Sequence, residues 1–561
     1  MPRPNRVMII GLDGATWDVL DPWIRDGRLP HLGALRLSGS WGNLMSTIPP
    51  ITAAAWSTFM TGKKPGKHGV FHFVKLFDEN GNSGDKPELV SGRSIQSPAV
   101  WDVLGHHDRK SVLINIPLTY PPRPVNGVMI TGLLTPSRAA VFTYPPELSQ
   151  QLADYKIDLD RFADKTPFQD DMGAEATAPS LALVEEFRDM TEKRRAWTLR
   201  LMRTEPWDFF MVVFTAPDRM GHYLWDYHRD SLPTDDPSTR QLCQAVRDFY
   251  VRLDEVIGDL VKEAGPQTRF IIMSDHGMGA PPQKQLRCNN WLQQRGWLVA
   301  EPRGGEWSNP DVWLKRLGIP RDKLGRILYR IPGLRRSRLV KKAAHTRKAA
   351  ADVDRSKAYG VPIFFNIMGV RLTVSGAERE SLRGQIMREL RELVDPEVGR
   401  RITRWVGRGE DYYAGDHAAN VPDIIAVFDP NYHCDYHIGH YSSIVTKRQV
   451  TSEVAKHRSQ GIFIATGPGI QAQPDPLPDL DIEDIAPTVL YFMDLPVPTD
   501  MDGRVITEVV SPAEAQAHPV RHIEPTGYWP SEKESVLQVA DMSEEDEAII
   551  RERLQSLGYL E

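Results

Sequence analysis

TIPPITAAAWSTFMTGKKPGKHGV, residues 47–70, sets a threonine, Thr52, between a stiff approach and a short helix. Pro49 and Pro50 hold the approach extended, because proline fixes its own φ and turns its predecessor away from helix. Residues 53–60, AAAWSTFM, suit a helix, which Gly62 and Pro65 stop. Thr52 therefore falls at the N-cap, beside first-turn amides that lack intrahelical partners. Such a terminus attracts anions, phosphate included. Read by itself, Thr52 is a plain helix cap. A threonine becomes a nucleophile only where a base or a metal ion activates its hydroxyl, so the remaining sequence decides its role. Ser57 and Thr58 fall inside the helix and turn away from the strand end.

Upstream, residues 7–12 (VMIIGL) read as a buried parallel strand closed by Asp13-Gly14. An acid directly after a first central strand lies where α/β sheets bind ligands, although Asp-Gly is also an ordinary turn. Residues 111–115 and 128–130 read as further strands, with Asn115 as a turn former at a strand end. Long amphipathic helices are expected over 179–203 and 238–264. In the second, Leu242, Val246, Phe249, Leu253, Val256, Ile257 and Leu260 recur at helical spacing and belong to the core.

Between these helices, residues 209–214 (FFMVVF) form a strand, followed by Asp218 and His222, four apart and so on one face of a helical turn. Residues 269–273 are another strand, ending in Ser274-Asp275-His276-Gly277. Adjacent Asp and His at a buried strand end are costly unless paired or bound to metal. Carboxylate with imidazole suits zinc or manganese better than calcium. With three strand ends carrying Asp or Asp and His, metal becomes the stronger reading.

Bulk properties narrow the class. A chain of 561 residues allows roughly two to four domains, and 41% hydrophobic with 25% charged residues is ordinary for a soluble protein. A net charge of −6 is too small to imply a nucleic-acid or membrane partner. Cys243, Cys288 and Cys434 match no zinc-ribbon spacing and suggest no disulfide framework, as in a reducing compartment. The apolar run at residues 7–12 is shorter than a signal-peptide core, and no stretch reaches the roughly 20 residues of a membrane span. A cytoplasmic, soluble protein is expected.

Between residues 315 and 357 lie fifteen Lys or Arg and three Asp, a local charge of +12. This segment reads as an insertion: a solvated helical face, a lid that gathers anionic substrate, or a patch for acidic lipid or nucleic acid. Strands are expected again at 361–370 and 424–428, with a helix near 377–394. His433, His437 and His440 then crowd a loop that reads as a neighbour of the active site, with a metal site of its own as the alternative. His457 precedes a strand and tight turn at 461–469, a helix follows near 481–493, and a charged helix near 543–557 closes the chain. The expected division is catalytic core over 1–299, basic helical insertion over 300–357, core again over 358–510, and a C-terminal extension over 511–561.

With Asp13, Thr52, Asp218 and His222, Asp275 and His276, and His457 in this order, residues 6–500 resemble the alkaline phosphatase superfamily. The closest branch is the type I phosphodiesterases and nucleotide pyrophosphatases. The resemblance implies an α/β three-layer sandwich with a central, mostly parallel sheet and an inserted helical cap. It also implies two divalent ions, zinc or manganese. One is held by Asp218, His222 and His457, the other by Asp13, Asp275 and His276, with Thr52 bridging as nucleophile. A metal-dependent hydrolase of phosphodiesters or pyrophosphates follows, acting through a covalent phosphothreonine on a small, nucleotide-like substrate. A phosphomonoesterase or phosphoryl transferase on the same site, or a catalytically silent binding protein, are the alternatives. Relatives place Phe-Pro-Asn after the nucleophile, where this chain has Ala53-Ala54-Ala55. They also place a phosphoryl-binding asparagine shortly after a His-Gly pair. Here His68-Gly69 is followed by Val70-Phe71-His72-Phe73, which leaves His72 as one candidate for the missing donor.

Overall fold

A computed structural model describes residues 6–75, 88–137, 139–159, 174–228, 236–300, 351–439, 441, 443–448, 455–525, 543–556 and 559. Most of the basic segment, residues 301–350, lies outside these residues, and so does His440. The chain divides into two compact units, residues 1–280, 415–417 and 452–561 in the first and 281–414 and 418–451 in the second.

The first unit is built on a nine-stranded sheet. Its strands are β1 (Arg6–Leu12), β2 (Ser40–Met45), β3 (Ser111–Ile116), β4 (Gly127–Thr131) and β5 (Thr143–Tyr144). β6 (Phe209–Phe214), β7 (Thr268–Met273), β8 (Gln460–Thr466) and β9 (Leu477–Asp481) complete it. The spatial order is β9-β2-β8-β7-β1-β6-β3-β4-β5. β1 runs parallel to β6 and β7, β3 to β6 and β4, and β2 to β9. β8 is antiparallel to both neighbours, β7 and β2, and β5 to β4. The near-continuous apolar runs of β1, β6 and β7 are buried along their length, as strands covered on both faces must be.

Helices supply that cover. Ala174–Thr204 packs on Pro237–Ala264, whose apolar stripe from Leu242 to Leu260 is buried as its periodicity predicts. Asp236 caps the second helix, accepting from the amides of Ser238 at 3.4 Å and Thr239 at 2.8 Å. A separate group packs Thr52–Thr61, Val100–His106 and Ile485–Phe492 together. No helix among the described residues is long and apolar enough to cross a membrane.

The second unit has its own four-stranded antiparallel sheet, ordered Ala358–Phe364, Ile367–Leu372, Ile424–Phe428, Thr403–Arg408. The single strand expected at 361–370 is thus a hairpin, turned at Phe365-Asn366, where the Asn366 amide donates to the Phe428 carbonyl at 2.8 Å. Residues 358–428 do not rejoin the nine-stranded sheet; the chain returns to the first unit for good only at residue 452. The cause is a separate core, in which Leu382, Ile386 and Leu390 of helix Gly376–Arg391 cluster with Met368, Val370, Ile424 and Phe428.

Candidate active site

Three adjacent central strands deliver the acids to one edge. Register pairs Leu12 of β1 with Phe214 of β6 and Gly11 with Met273 of β7. Asp13, the turn leading to Asp218, and Asp275 therefore leave the sheet side by side, at the carboxyl ends where α/β sheets bind ligands. Asp218 and His222 lie on helix Ala216–Leu224. His457 stands just ahead of β8, and because that strand is antiparallel, its start meets the edge where β7 ends. Gly14 turns the chain with a φ of +69°, and a Cβ there would come within 2.8 Å of the Asp218 Cα, so the position requires glycine. These five side chains are buried, as are His276, next to Asp275, and Thr52.

Thr52 corrects one expectation. The N-cap is Ile51, in extended conformation, and Thr52 is the first helical residue. Its hydroxyl makes no capping bond and stands 3.2 Å from His276 Nε2 instead. The neighbouring hydroxyls are engaged elsewhere: Ser57 donates to the Ala53 carbonyl at 2.7 Å, and Thr58 pairs with His68 Nε2 at 2.9 Å.

Two clusters converge on His276, the neighbour of this hydroxyl. In the first, Asp218 Oδ1 lies 3.4 Å from His222 Nε2 and 3.2 Å from His457 Nε2, with the two imidazole nitrogens 3.0 Å apart. In the second, His276 Nε2 lies 3.7 Å from Asp13 Oδ1 and 3.4 Å from Asp275 Oδ2. His276 Nε2 also stands 4.0 Å from Asp218 Oδ1, between the two groups. Backbone carbonyls fix the rings: His457 Nδ1–H donates to Pro50 at 2.8 Å and His276 Nδ1–H to Gly277 at 3.0 Å. Each Nε2 is left with its lone pair turned inward, the arrangement of metal-binding histidines.

The carboxylates are poised in the same way. Asp13 Oδ2 accepts from Trp56 Nε1 at 3.2 Å, and Asp275 Oδ1 from the Gly14 amide at 3.3 Å. Asp218 Oδ2 accepts from Arg219 and from the Tyr559 hydroxyl. The other oxygen of each, Asp13 Oδ1, Asp218 Oδ1 and Asp275 Oδ2, is buried with no hydrogen-bond partner. Leaving even one such atom unsatisfied costs about 1–3 kcal/mol, more for a charge. Three together, facing imidazole lone pairs, fit divalent cations, and the N/O donor set suits zinc or manganese.

Electrostatics agree with the geometry. Burial, with the Asp218 charge, pushes the Asp13 carboxyl well above the usual range, and burial with Asp13 and Asp218 does the same to Asp275. Burial opposes ionisation of Asp218 too, but His222, His457 and Arg219 outweigh it and hold that carboxyl well below. Burial lowers His222 and His276, keeping both imidazoles neutral, the form that binds metal.

Several participants left little trace in the sequence. Arg219, wholly buried, bridges Asp218 and Asp158, the latter at 2.6 Å. Its only signal is an arginine beside an acid at a buried strand end. Trp56 reads as helix core, and Tyr559 as a lone aromatic beyond a charged helix. His68 orders the loop after the Thr52 helix, donating through Nε2 to Thr58 while its Nδ1 accepts from the Val70 amide at 3.2 Å. His72 is buried with Nδ1 unbonded, and burial holds its imidazole well below the ordinary value. Asn115 takes a φ of +62° and breaks the β3–β4 register, as a turn former does. His433 and His437 belong to the second unit, where Asp435 pairs with Arg287 and His437.

Buried imidazoles also set an acid limit to stability. Burial holds His68 down to about 3, and His72 and His228 to about 4. Unfolded, each returns to an ordinary value near 6.5. Depressed folded values mean that stability is complete above about pH 6.5 and is lost as acid protonates the unfolded chain first. Glu483 acts oppositely, since burial lifts its carboxyl to about 7 and the folded state gains a proton as pH falls. These three imidazoles against this one carboxyl contribute a net loss of about 1–3 kcal/mol per pH unit below pH 6.5. The urea midpoint is expected to fall steadily from about pH 7 to pH 5; a flat or rising midpoint would contradict this.

Residues 7–461 match the family model of type I phosphodiesterase / nucleotide pyrophosphatase. No curated protein matches the chain. Among solved structures, phosphonoacetate hydrolase from Sinorhizobium meliloti 1021, in complex with phosphonoacetate, shares 14% identity at a TM-score of 0.50, covering 87% of this chain and 95% of that one. Human ectonucleotide pyrophosphatase / phosphodiesterase 5 shares 14% identity at 0.43, covering 91% and 99%. Wild-type alkaline phosphatase PafA shares 13% at 0.43, covering 91% and 100%. At 14% identity the first of these likenesses supports the fold.

Proposed function

Because the chain belongs to the type I phosphodiesterase and nucleotide pyrophosphatase family, and is thus a phosphoester hydrolase of the alkaline phosphatase superfamily, we propose a two-metal site with Thr52 as nucleophile. Asp218, His222 and His457 hold one divalent ion, and Asp13, Asp275 and His276 the other. The observation that carries this reading is the set of three buried, unpartnered carboxylate oxygens gathered within 4.0 Å of His276 Nε2, the neighbour of the Thr52 hydroxyl. Divalent ions in such a site neutralise phosphoryl charge and ease deprotonation of a nearby hydroxyl.

The chain's own groups do the rest. Thr52 Oγ1 attacks phosphorus, the bond to the leaving oxygen breaks, and phosphothreonine forms; water then cleaves the Oγ1–P bond and restores Thr52. Amides of the first turn of the Thr52 helix donate to phosphoryl oxygens. Pro50 and Gly277 hold His457 and His276 in the tautomers that turn Nε2 inward. Phosphodiesters or pyrophosphates of nucleotide-like size are the substrates that family membership favours. A cytoplasmic location accords with three cysteines that form no disulfide.

Hydrolysis of bis-p-nitrophenyl phosphate against p-nitrophenyl phosphate tests the substrate class. Faster cleavage of the diester is expected. Faster cleavage of the monoester would move the assignment to a phosphomonoesterase, and turnover of neither would favour a binding role.

A further inference from the structure

Tyr559 lies three residues beyond helix Glu544–Ser556, yet its hydroxyl is inside the candidate active site. It donates to Asp218 Oδ2 at 3.0 Å and stands 3.3 Å from His222 Nε2, with the Thr52 hydroxyl as a further hydrogen-bonding neighbour. The ring is held from the side: its centroid lies 4.7 Å from that of Phe73, 5.2 Å from His457 and 5.4 Å from His222. Only 6% of the residue is exposed.

The preceding helix anchors this placement. Ile550 and Leu554 are buried, and the Tyr559 amide donates to the Leu554 carbonyl at 2.9 Å. Arg553 bears on Asp158, which pairs with Arg219, the partner of Asp218. One chain of buried charges thus connects the last helix to the site.

A phenol carries one O–H and is protonated at neutral pH. Arg219 already donates to Asp218 Oδ2, so the phenol hydrogen can leave that oxygen without stranding it. We propose that Tyr559 is a catalytic residue whose O–H donates to a non-bridging phosphoryl oxygen during attack by Thr52, and that helix Glu544–Ser556 is the arm that positions it. This rests on the two-metal reading above.

Tyr559→Phe and Tyr559→Ala in the full chain test it, with inorganic phosphate binding followed by calorimetry beside turnover of bis-p-nitrophenyl phosphate. Loss of one charge-assisted hydrogen bond is expected to weaken phosphate binding about 10-fold and to lower kcat about 10–100-fold, with KM and bound metal little changed. The alanine variant should show the same losses. Phosphate binding and kcat at wild-type levels in Tyr559→Phe would overturn the assignment. Faster turnover in Tyr559→Ala would also overturn it, making the residue a plug, and loss of metal would make it only a support for Asp218. A wild-type protein that neither binds phosphate nor cleaves the ester would remove the two-metal reading, and this proposal with it.

Discussion

Thr52→Ala is expected to lower turnover by roughly 10³–10⁶-fold while leaving bound metal and thermal stability nearly unchanged. The chemical loss follows from removing the only hydroxyl of its helix found against His276; those of Ser57 and Thr58 bond within the fold. Stability should hold because Ile51, not Thr52, caps the helix, and alanine is favourable at a first helical position. Had Thr52 been a cap, its loss would cost about 1 kcal/mol. Thr52→Ser keeps a hydroxyl at the same place and should retain measurable turnover. Three measurements decide: kcat with the diester, metal per chain and Tm. Unchanged kcat in the alanine variant would end the nucleophile assignment.

Arg219→Met should be the most damaging single change to stability near the site. The guanidinium is wholly buried between Asp158 and Asp218 and offsets both charges. Burial opposes ionisation of Asp158, but Arg219 overcomes it and holds that carboxyl below its ordinary value. Methionine fills similar volume yet leaves two buried carboxylates without their countercharge. Breaking a buried pair in this way costs about 3–5 kcal/mol. The loss, read from urea midpoints, should be largest in metal-free protein, since a cation on Asp218 would replace part of the missing charge. Asp158→Asn in the Arg219→Met background should recover part of it. A loss below about 1 kcal/mol would show that the two carboxylates are protonated or hydrated.

The candidate metal ligands were legible because each follows or precedes a short apolar run that could only be a buried strand. Asp13, Asp218, Asp275 and His276 stand at the ends of β1, β6 and β7, and period and composition locate those ends. Which strands neighbour one another was not legible. The order β7-β1-β6 places the three ends together, and nothing local in the runs encodes it. His457 shows the same limit. Its position before β8 puts it at the site only because β8 is antiparallel to β7, a fact of pairing and not of sequence. The one-residue slip at Thr52 is a boundary effect, since an N-cap and a first helical position look alike in sequence. The roles of Arg219, Asp158 and Tyr559 were not legible for a different reason. Each acts through a contact distant in sequence, and a single charged or aromatic residue on a helix or turn is most often surface or core. The strands of the second unit carry the same apolar patterning as those of the nine-stranded sheet, and only pairing separates them.

Metal per chain in purified protein, counted by mass spectrometry, tests the central claim most directly. About two zinc or manganese ions are expected in the wild type. His457→Ala should remove the one at Asp218 and His222, and Asp275→Ala the one at Asp13 and His276. A wild-type chain that hydrolyses phosphoesters with no divalent ion bound, or variants that both keep two, would contradict it.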